Sequence, residues 1–178
     1  MSRTALIVKV PAIEKLVALR QRFASDATYG VPPHITVLFP FIPAARLSGP
    51  NLSVLRHAVG GIPEFDFSLT RTRWFGDRIL WLAPANPSPF IELTDAVVGA
   101  FPDYPPYGGA HDGSAPHATV GDSGDHVALL RAERAVSPLL PIAGVVAAVT
   151  LIVEDADGQW REHIDLPLSM SRKMSFDE

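Results

Sequence analysis

A pentapeptide occurs twice in this chain, as Pro-His-Ile-Thr-Val at residues 33–37 and as Pro-His-Ala-Thr-Val at residues 116–120. The repeat matches His34 with His117 and Thr36 with Thr119, 83 positions apart. Of the six histidines, only these two are followed two positions later by a hydroxyl residue. Two such motifs with the same flanking residues indicate a duplicated half-domain that brings two imidazoles to one site.

The spacing inside each motif predicts what it presents to a ligand. Residues two apart in a β-strand point to the same face, so each motif would project an imidazole beside a hydroxyl. Imidazole has an ordinary pKa near 6.5, so a neutral and a protonated histidine coexist near neutral pH. Such a pair suits in-line displacement at phosphorus, with a bell-shaped rate profile between roughly pH 5 and 8.

A structural role is the alternative for these histidines. A single histidine on an apolar strand is more often a hydrogen-bonded structural residue than a catalytic one. Two structural histidines have no reason to share both flanks, and the duplication therefore favours the functional interpretation.

Composition sets the class of protein. The chain has 178 residues, 47% of them hydrophobic and 19% charged, which is typical of one globular domain with a real core. The formal charge of −4 excludes an overall positive electrostatic field that would attract long nucleic acid. There is no cysteine, which excludes thiol nucleophiles and thiolate metal sites. No apolar run approaches the ~20 residues of a membrane helix, and we expect a cytoplasmic monomer without membrane attachment.

Apolar periodicity predicts alternating strands and helices. The predicted strands are residues 4–10, 34–39, 65–75, 79–83, 116–120, 145–154 and 160–166, and the predicted helices are a segment opened by Pro11 and residues 52–59, 89–101 and 125–136. Motif strand, helix and hairpin thus occur twice. We predict one α+β domain over residues 1–168, followed by a polar tail over residues 169–178, with a candidate boundary between two lobes at residues 84–89.

The two His-x-Thr-hydrophobic tetrads, residues 34–37 and 117–120, resemble those of the two-histidine (2H) phosphoesterases, which include 2′-5′ RNA ligase-like proteins and cyclic phosphodiesterases. The resemblance implies two pseudo-symmetric lobes, each a small, mainly antiparallel sheet with outer helices, and an active-site cleft between them. It implies that His34 and His117 are acid and base, that Thr36 and Thr119 bind the phosphate, and that no metal or other cofactor takes part. RNA ligase-like members often carry an arginine three positions beyond the second threonine, where this chain has Asp122.

Four further residues are candidates for substrate binding. Arg71 and Arg73 follow the apolar residues of one strand face and would hold a phosphate if that face enters the cleft, or reach solvent if it does not. Trp81 would stack on a base, although an aromatic residue in a half-buried sheet is more often part of the core. Tyr107 lies in the loop of residues 102–115, which is either a lid over the site or a plain connection.

The sequence therefore predicts a metal-independent phosphodiester hydrolase. Its substrate would be a cyclic phosphate or a small 2′-5′ or 2′,3′-phosphodiester of a nucleotide or short RNA end. One rival is a non-catalytic nucleotide-binding module with the same pocket. A second rival is a metal-dependent hydrolase that uses side chains outside the two motifs, namely His111, Asp112, Asp122 or His126. Asp125 is more simply the cap of the helix that follows it.

Overall fold

The computed structural model of the chain describes residues 2–110, 115–122 and 124–170. These residues form four α-helices: α1 (Glu14–Phe23), α2 (Gly49–Gly60), α3 (Ser88–Ala100) and α4 (His126–Val136). They also form eight strands: β1 (Thr4–Lys9), β2 (His34–Leu38), β3 (Phe65–Phe75), β4 (Ile79–Pro84), β5 (Ala118–Gly121), β6 (Ile142–Val146), β7 (Ala148–Glu154) and β8 (Trp160–Pro167). None of these helices is both long and apolar enough to cross a membrane.

The strands form two antiparallel four-stranded sheets, and the predicted α+β class with two pseudo-symmetric lobes is confirmed. The first sheet has the order β2-β1-β7-β8 and the second the order β5-β4-β3-β6. A motif strand lies at an edge of each sheet, and the two motif strands contact each other. The edges that carry the two His-x-Thr motifs are therefore neighbours in space.

The lobes do not correspond to the two halves of the sequence. Each sheet takes two strands from before residues 84–89 and two from after them, so the candidate lobe boundary there is wrong. The chain changes sheets within each half: β3 follows β2 but pairs with β4 in the second sheet, and β7 follows β6 but pairs with β1 in the first. This exchange of strands interlocks the lobes and gives them a common core.

Most predicted elements are present, with two corrections. Helix α1 begins at Glu14 rather than at Pro11, because Ile13 still has an extended backbone with ψ of 126°. The predicted strand over residues 145–154 is two strands, since β6 pairs with β3 in the second sheet and β7 pairs with β1 and β8 in the first. The run from Ala143 to Val153 contains no charged residue, so its pattern shows no break where the chain passes from one sheet to the other.

Apolar side chains pack on both faces of the first sheet. Leu6, Val8 and Leu151 belong to the main core, which the helices and both sheets share. Ala5, Ile7, Val31 and Ile152 form a smaller cluster, against which Phe39 and Trp160 pack. All of the smaller cluster lines a pocket. The first sheet therefore separates the core from the site.

Candidate active site

Both motifs line one pocket of about 460 Å³. His34 and Thr36 enter it from β2, Thr119 enters from β5, and His117 lies immediately before β5. The predicted convergence of the four motif side chains is thus present in the structure. Their chemical roles remain a prediction.

Each histidine is oriented by a backbone carbonyl two residues earlier. The Nδ1 atom of His34 lies 2.8 Å from the carbonyl oxygen of Pro32, and that of His117 lies 2.7 Å from the carbonyl oxygen of Ala115. Because a carbonyl can only accept, Nδ1 carries the hydrogen in both rings, and Nε2 of the neutral ring is free to take a proton. The proline before each histidine restricts the preceding residue to extended backbone, which favours this local geometry.

Burial lowers the pKa of both histidines. The side chain of His34 is only 12% exposed, and burial is the largest cause of a pKa that is lowered to about 4. The charges of Arg20 and His117 contribute to this lowering, and Asp26 and the hydrogen bond to Pro32 oppose it. Burial lowers the pKa of His117 below its usual 6.5, against its bond to Ala115. His34 is therefore neutral at ordinary pH. Arg20 contributes to lowering its pKa, whereas burial is the cause that lowers the pKa of His117.

Arg20 joins the two motifs and was missed as a site residue by the sequence reasoning. It lies on α1, is 1% exposed, and donates from Nη1 to the backbone carbonyl of Thr119. Its Nη2 donates to Asp26 Oδ1 at 2.8 Å, and Asp26 Oδ2 lies 4.0 Å from Nδ1 of His34. The sequence does hint at the burial of Arg20, because it lies at helical spacing with the apolar residues Ile13, Leu16 and Val17.

Asp122 lines the pocket and is hydrogen bonded to the end of α1. Its carboxylate accepts the backbone N–H of Ser25 at 2.7 Å and the hydroxyl of Ser25 at 2.6 Å. Its own N–H donates to the carbonyl of Phe23 at 2.8 Å. These bonds fasten the end of α1, and with it Asp26, to the end of β5.

Tyr107 lines the pocket, as its candidate role requires. Its hydroxyl is hydrogen bonded to the side chain of Thr36, and burial raises its pKa, so the hydroxyl stays protonated. The residue has a left-handed backbone with φ of 52°, which is uncommon for a non-glycine residue. Its N–H donates to the carbonyl of Phe39 at 2.7 Å and holds the loop against the end of β2. Whether the loop acts as a lid stays a prediction, and residues 111–114 lie outside the described residues.

Arg71, Arg73 and Trp81 are not among the residues that line the pocket. The expectation that Arg71 and Arg73 continue the core face of Leu69 is wrong, because a shift of register between Leu69 and Arg71 turns the strand over. Thr72 then faces α4, where its hydroxyl donates to Glu133 at 2.7 Å, and both arginines are exposed on the opposite face. Their role in substrate binding stays a prediction.

Trp81 lies beside the pocket and packs against a candidate catalytic residue. It is the partner of Thr119 across β4 and β5. Its ring stacks on Phe75 with centroids 4.7 Å apart, and both rings contact the imidazole of His117 edge-on, at 5.7 Å from Trp81 and 5.0 Å from Phe75. The aromatic pair therefore supports His117 from the side of the second sheet.

Arg3, Phe39 and Trp160 form part of the opposite wall, and the sequence reasoning did not identify them. The guanidinium of Arg3 bonds both carboxylate oxygens of Glu154, at 2.8 and 2.6 Å. It also lies over the rings of Phe39 and Trp160, at 5.8 and 5.6 Å. No motif marks these residues. Arg3 and Phe39 lie near β1 and β2, Trp160 begins β8, and the pairing of β1 with β2 and β7, and of β7 with β8, brings them together.

The residues named for a metal site already have other partners. Asp122 binds Ser25, Nδ1 of His126 lies 3.0 Å from the carbonyl oxygen of Asp77, and Asp125 caps α4 by accepting the N–H of Ala128 at 3.1 Å. Across residues 2–110, 115–122 and 124–170, no three histidine, cysteine, aspartate or glutamate side chains are grouped as a metal site. His111 and Asp112 lie outside the described residues.

Comparison with known proteins agrees with this geometry. The family model of the 2′-5′ RNA ligase superfamily matches residues 8–158. TT0787 of Thermus thermophilus is 16% identical in sequence with a TM-score of 0.64, covering 95% of this chain and 99% of its own. Escherichia coli LigT in its apo form is 19% identical with a TM-score of 0.57, covering 94% of this chain and 98% of its own. A comparison with curated proteins gives no match.

A fold of two interlocked antiparallel sheets, with one His-x-Thr strand from each at a shared pocket, defines the two-histidine phosphoesterase class. The chain belongs to the 2′-5′ RNA ligase superfamily, whose model covers most of its length.

Proposed function

We propose that the protein is a metal-independent phosphodiester hydrolase that acts on a cyclic phosphate or a small 2′-5′ or 2′,3′-phosphodiester of a nucleotide or RNA end. The observation that carries the proposal is the pair of imidazoles in one pocket, each with Nδ1 on a backbone carbonyl. This arrangement leaves two Nε2 atoms to handle protons, one from each sheet. Displacement at phosphorus uses two such groups directly, since one oxygen loses a proton and another gains one.

The environments of the two histidines support different roles. His34 is more suited to be the general base, because burial and the charge of Arg20 keep it neutral. His117 is then the general acid. For a 2′,3′-cyclic phosphate, the oxygen of water forms a bond to phosphorus while the bond from phosphorus to one ribose oxygen breaks. His34 takes the proton of the water and His117 gives its proton to the ribose oxygen, which leaves a phosphomonoester.

Hydroxyl groups would bind the non-bridging phosphate oxygens. Thr36 and Thr119 line the pocket beside the two histidines, and Tyr107 is hydrogen bonded to Thr36. Donors fixed in advance stabilise the charge that develops on phosphate oxygens in the transition state. Tyr107 makes the two halves of the site unequal, since Thr36 has this phenol as a neighbour.

The size of the pocket supports a nucleotide as the substrate. About 460 Å³ falls within the range of roughly 300–1,000 Å³ that is typical of small-molecule sites. Escherichia coli LigT, which is similar in fold, has been crystallised with 3′-AMP, with phosphate and with NADP⁺. We extend nucleotide binding to this chain as part of the proposal, together with a cytoplasmic monomer that does not bind long duplex nucleic acid.

The test is hydrolysis of a panel of 2′,3′-cyclic nucleotides and 2′-5′ dinucleotides in the presence of a chelator. His34→Ala and His117→Ala should each lower kcat by at least ~10²-fold, since each removes a proton-transfer partner. The double variant should be little worse than either single variant, because the two residues act as a unit. His57→Ala and His163→Ala are matched controls at exposed positions and should leave kcat within about twofold.

The same experiment separates the alternatives. Binding of nucleotides without turnover in the wild-type protein would identify a non-catalytic module. Activity that the chelator abolishes and added divalent metal restores would identify a metal-dependent hydrolase. Unfolding of both alanine variants, observed by circular dichroism, would assign the two histidines a structural role.

A further inference from the structure

The cations close to the pocket differ in whether they are free to bind a ligand. Arg20 is buried and paired with Asp26, and Arg3 is held by both oxygens of Glu154. Arg71 and Arg73 are exposed, and the ion pairs and side-chain hydrogen bonds of the described residues do not include them. In a chain with a net charge of −4, these two arginines are a local cationic surface that remains available to an anion.

The register of the second sheet places this surface next to the site. Arg73 is opposite Trp81 on β4, and Trp81 is opposite Thr119 on β5, so the three side chains lie in one row on one face. Arg71 and Phe75 share that face, two residues to either side of Arg73. Neighbouring strands are about 4.8 Å apart, which puts the backbone of Arg73 roughly 10 Å from that of Thr119.

Two aromatic side chains, Phe75 and Trp81, lie between the arginines and the pocket. Phe75 is 38% exposed, stacks on Trp81 and contacts the ring of His117. Exposed aromatic rings beside arginines are the surface on which single-stranded nucleic acid stacks its bases and pairs its phosphates. Trp81 lies between Arg73 and Thr119 in this row, which favours separate phosphates at the two residues.

We propose that the face formed by Arg71, Arg73, Phe75 and Trp81, which we call the β3 face, binds the nucleotide adjacent to the reacting phosphate. The substrate is accordingly the 3′ end of a single-stranded RNA rather than a free mononucleotide. The arginines hold the internucleotide phosphate that precedes the terminal one, and the base of that nucleotide stacks on Phe75. This inference rests on the proposed function, since it extends the same site.

The first test compares two substrates that differ only in length. These are adenosine 2′,3′-cyclic phosphate and a tetra-adenylate that ends in the same cyclic phosphate. The wild-type kcat/KM should be at least tenfold higher for the tetranucleotide. The Arg71→Ala/Arg73→Ala double variant should lower the ratio of the two kcat/KM values by at least tenfold, and Phe75→Ala should lower it to a smaller extent.

A matched control removes the same charge elsewhere. Arg56→Ala/Arg131→Ala takes two exposed arginines from α2 and α4 and should leave the ratio unchanged. The salt dependence gives an independent measure, because each phosphate contact on a single strand contributes about 0.7 to the slope of log affinity against log salt. Loss of the contact to this one phosphate should reduce that slope by about 0.7.

The second test measures binding without turnover. Fluorescence anisotropy of a labelled tetra-adenylate 3′-phosphate should show a Kd at least tenfold weaker for the Arg71→Ala/Arg73→Ala variant than for the wild type. If binding weakens in this way while the wild type hydrolyses neither substrate, the role of the β3 face in RNA binding is supported and the proposed hydrolase activity is contradicted. Three results would overturn the inference. The double variant could lose kcat/KM equally on both substrates, its effect could be no larger than that of the control variant, or the wild type could show no preference for the longer substrate.

Discussion

Arg20 shows how one buried residue organises the site without lying in its sequence motifs. Its guanidinium donates to the carbonyl of Thr119 and to Asp26, whose second oxygen lies 4.0 Å from His34. Burying an arginine is costly unless its charge is paired, and here one nitrogen, Nε, has no hydrogen-bond partner among the described residues. We infer that Arg20 is a positioning residue, which fixes Thr119 and keeps a positive charge near His34.

Replacement of Arg20 by methionine tests this role. Arg20→Met keeps most of the length of the side chain but removes a charge that lowers the pKa of His34, while Asp26, which raises that pKa, remains. The pKa of His34, measured by NMR titration, should therefore rise, and the acidic limb of kcat/KM should move to higher pH. Arg20→Lys should restore part of the shift, because it returns the charge but not the two-armed geometry.

The control for this prediction lies on the same helix. Arg22 is exposed, and Arg22→Met should leave the pKa of His34 and the pH profile unchanged. A pKa of His34 that is the same in Arg20→Met as in the wild type would mean that Arg20 contributes packing alone.

At the scale of elements, the close approach of α1 to β5 determines where the second motif lies. A Cβ atom on Gly121 would lie 2.7 Å from Cβ of Phe23 and 2.6 Å from Cδ2 of Leu129. Glycine is therefore required at the end of β5 for α1 and α4 to pack against it. The bonds from Asp122 to Phe23 and Ser25 lock the same contact. Because Arg20 and Asp26 lie on either side of Phe23, the contact also positions the network at His34.

Gly121→Ala should consequently lower the free energy of unfolding by about 1–3 kcal/mol, the usual cost of overpacking. Urea denaturation of the variant and the wild type measures this difference. Gly99→Ala is the matched control: Gly99 lies in α3 with nothing within 4 Å of an added Cβ, and alanine there should stabilise the protein by up to about 1 kcal/mol. Equal stability of Gly121→Ala and the wild type would show that α1 shifts at no cost.

At the scale of the whole molecule, the two sheets supply one imidazole each and place them in different surroundings. His34, near Arg20 and Asp26, has a pKa of about 4, and His117 has a pKa lowered by burial alone. The sequence predicts two equivalent histidines, whereas the folded protein makes them unequal. That inequality supplies a base and an acid, and it also shifts the pH at which both are in the required state.

The pH profile of kcat/KM should be bell-shaped and displaced to acid from the window of roughly pH 5 to 8 that ordinary imidazoles would give. His34 must be neutral, which places the acidic limb near pH 4. His117 must be protonated, and since its pKa lies below 6.5 the alkaline limb lies below that value. Steady-state rates from about pH 3.5 to 9 with a chelator present test this expectation. A rate that continues to rise above about pH 7 would contradict the assignment of His117 as the acid.

The sequence by itself determined the features that depend on local pattern. The repeated motif identified both histidines and both threonines, period-two and period-3.6 runs located most strands and helices, and Asp125 was recognised as a cap. These predictions succeed because side-chain direction and helix capping depend on neighbours only a few residues away.

Only the tertiary structure decided the rest. The uncharged run around Ala147 does not reveal that its two halves join different sheets, because both halves are equally suited to burial. One extra residue between Leu69 and Arg71 reverses which side chains of β3 point to the core, and the apolar pattern of the sequence does not reveal this shift. The Arg20 to Asp26 to His34 network depends on where α1 meets β5. Burial, pairing and pKa arise from contacts between residues far apart in the chain, and a linear pattern does not contain them.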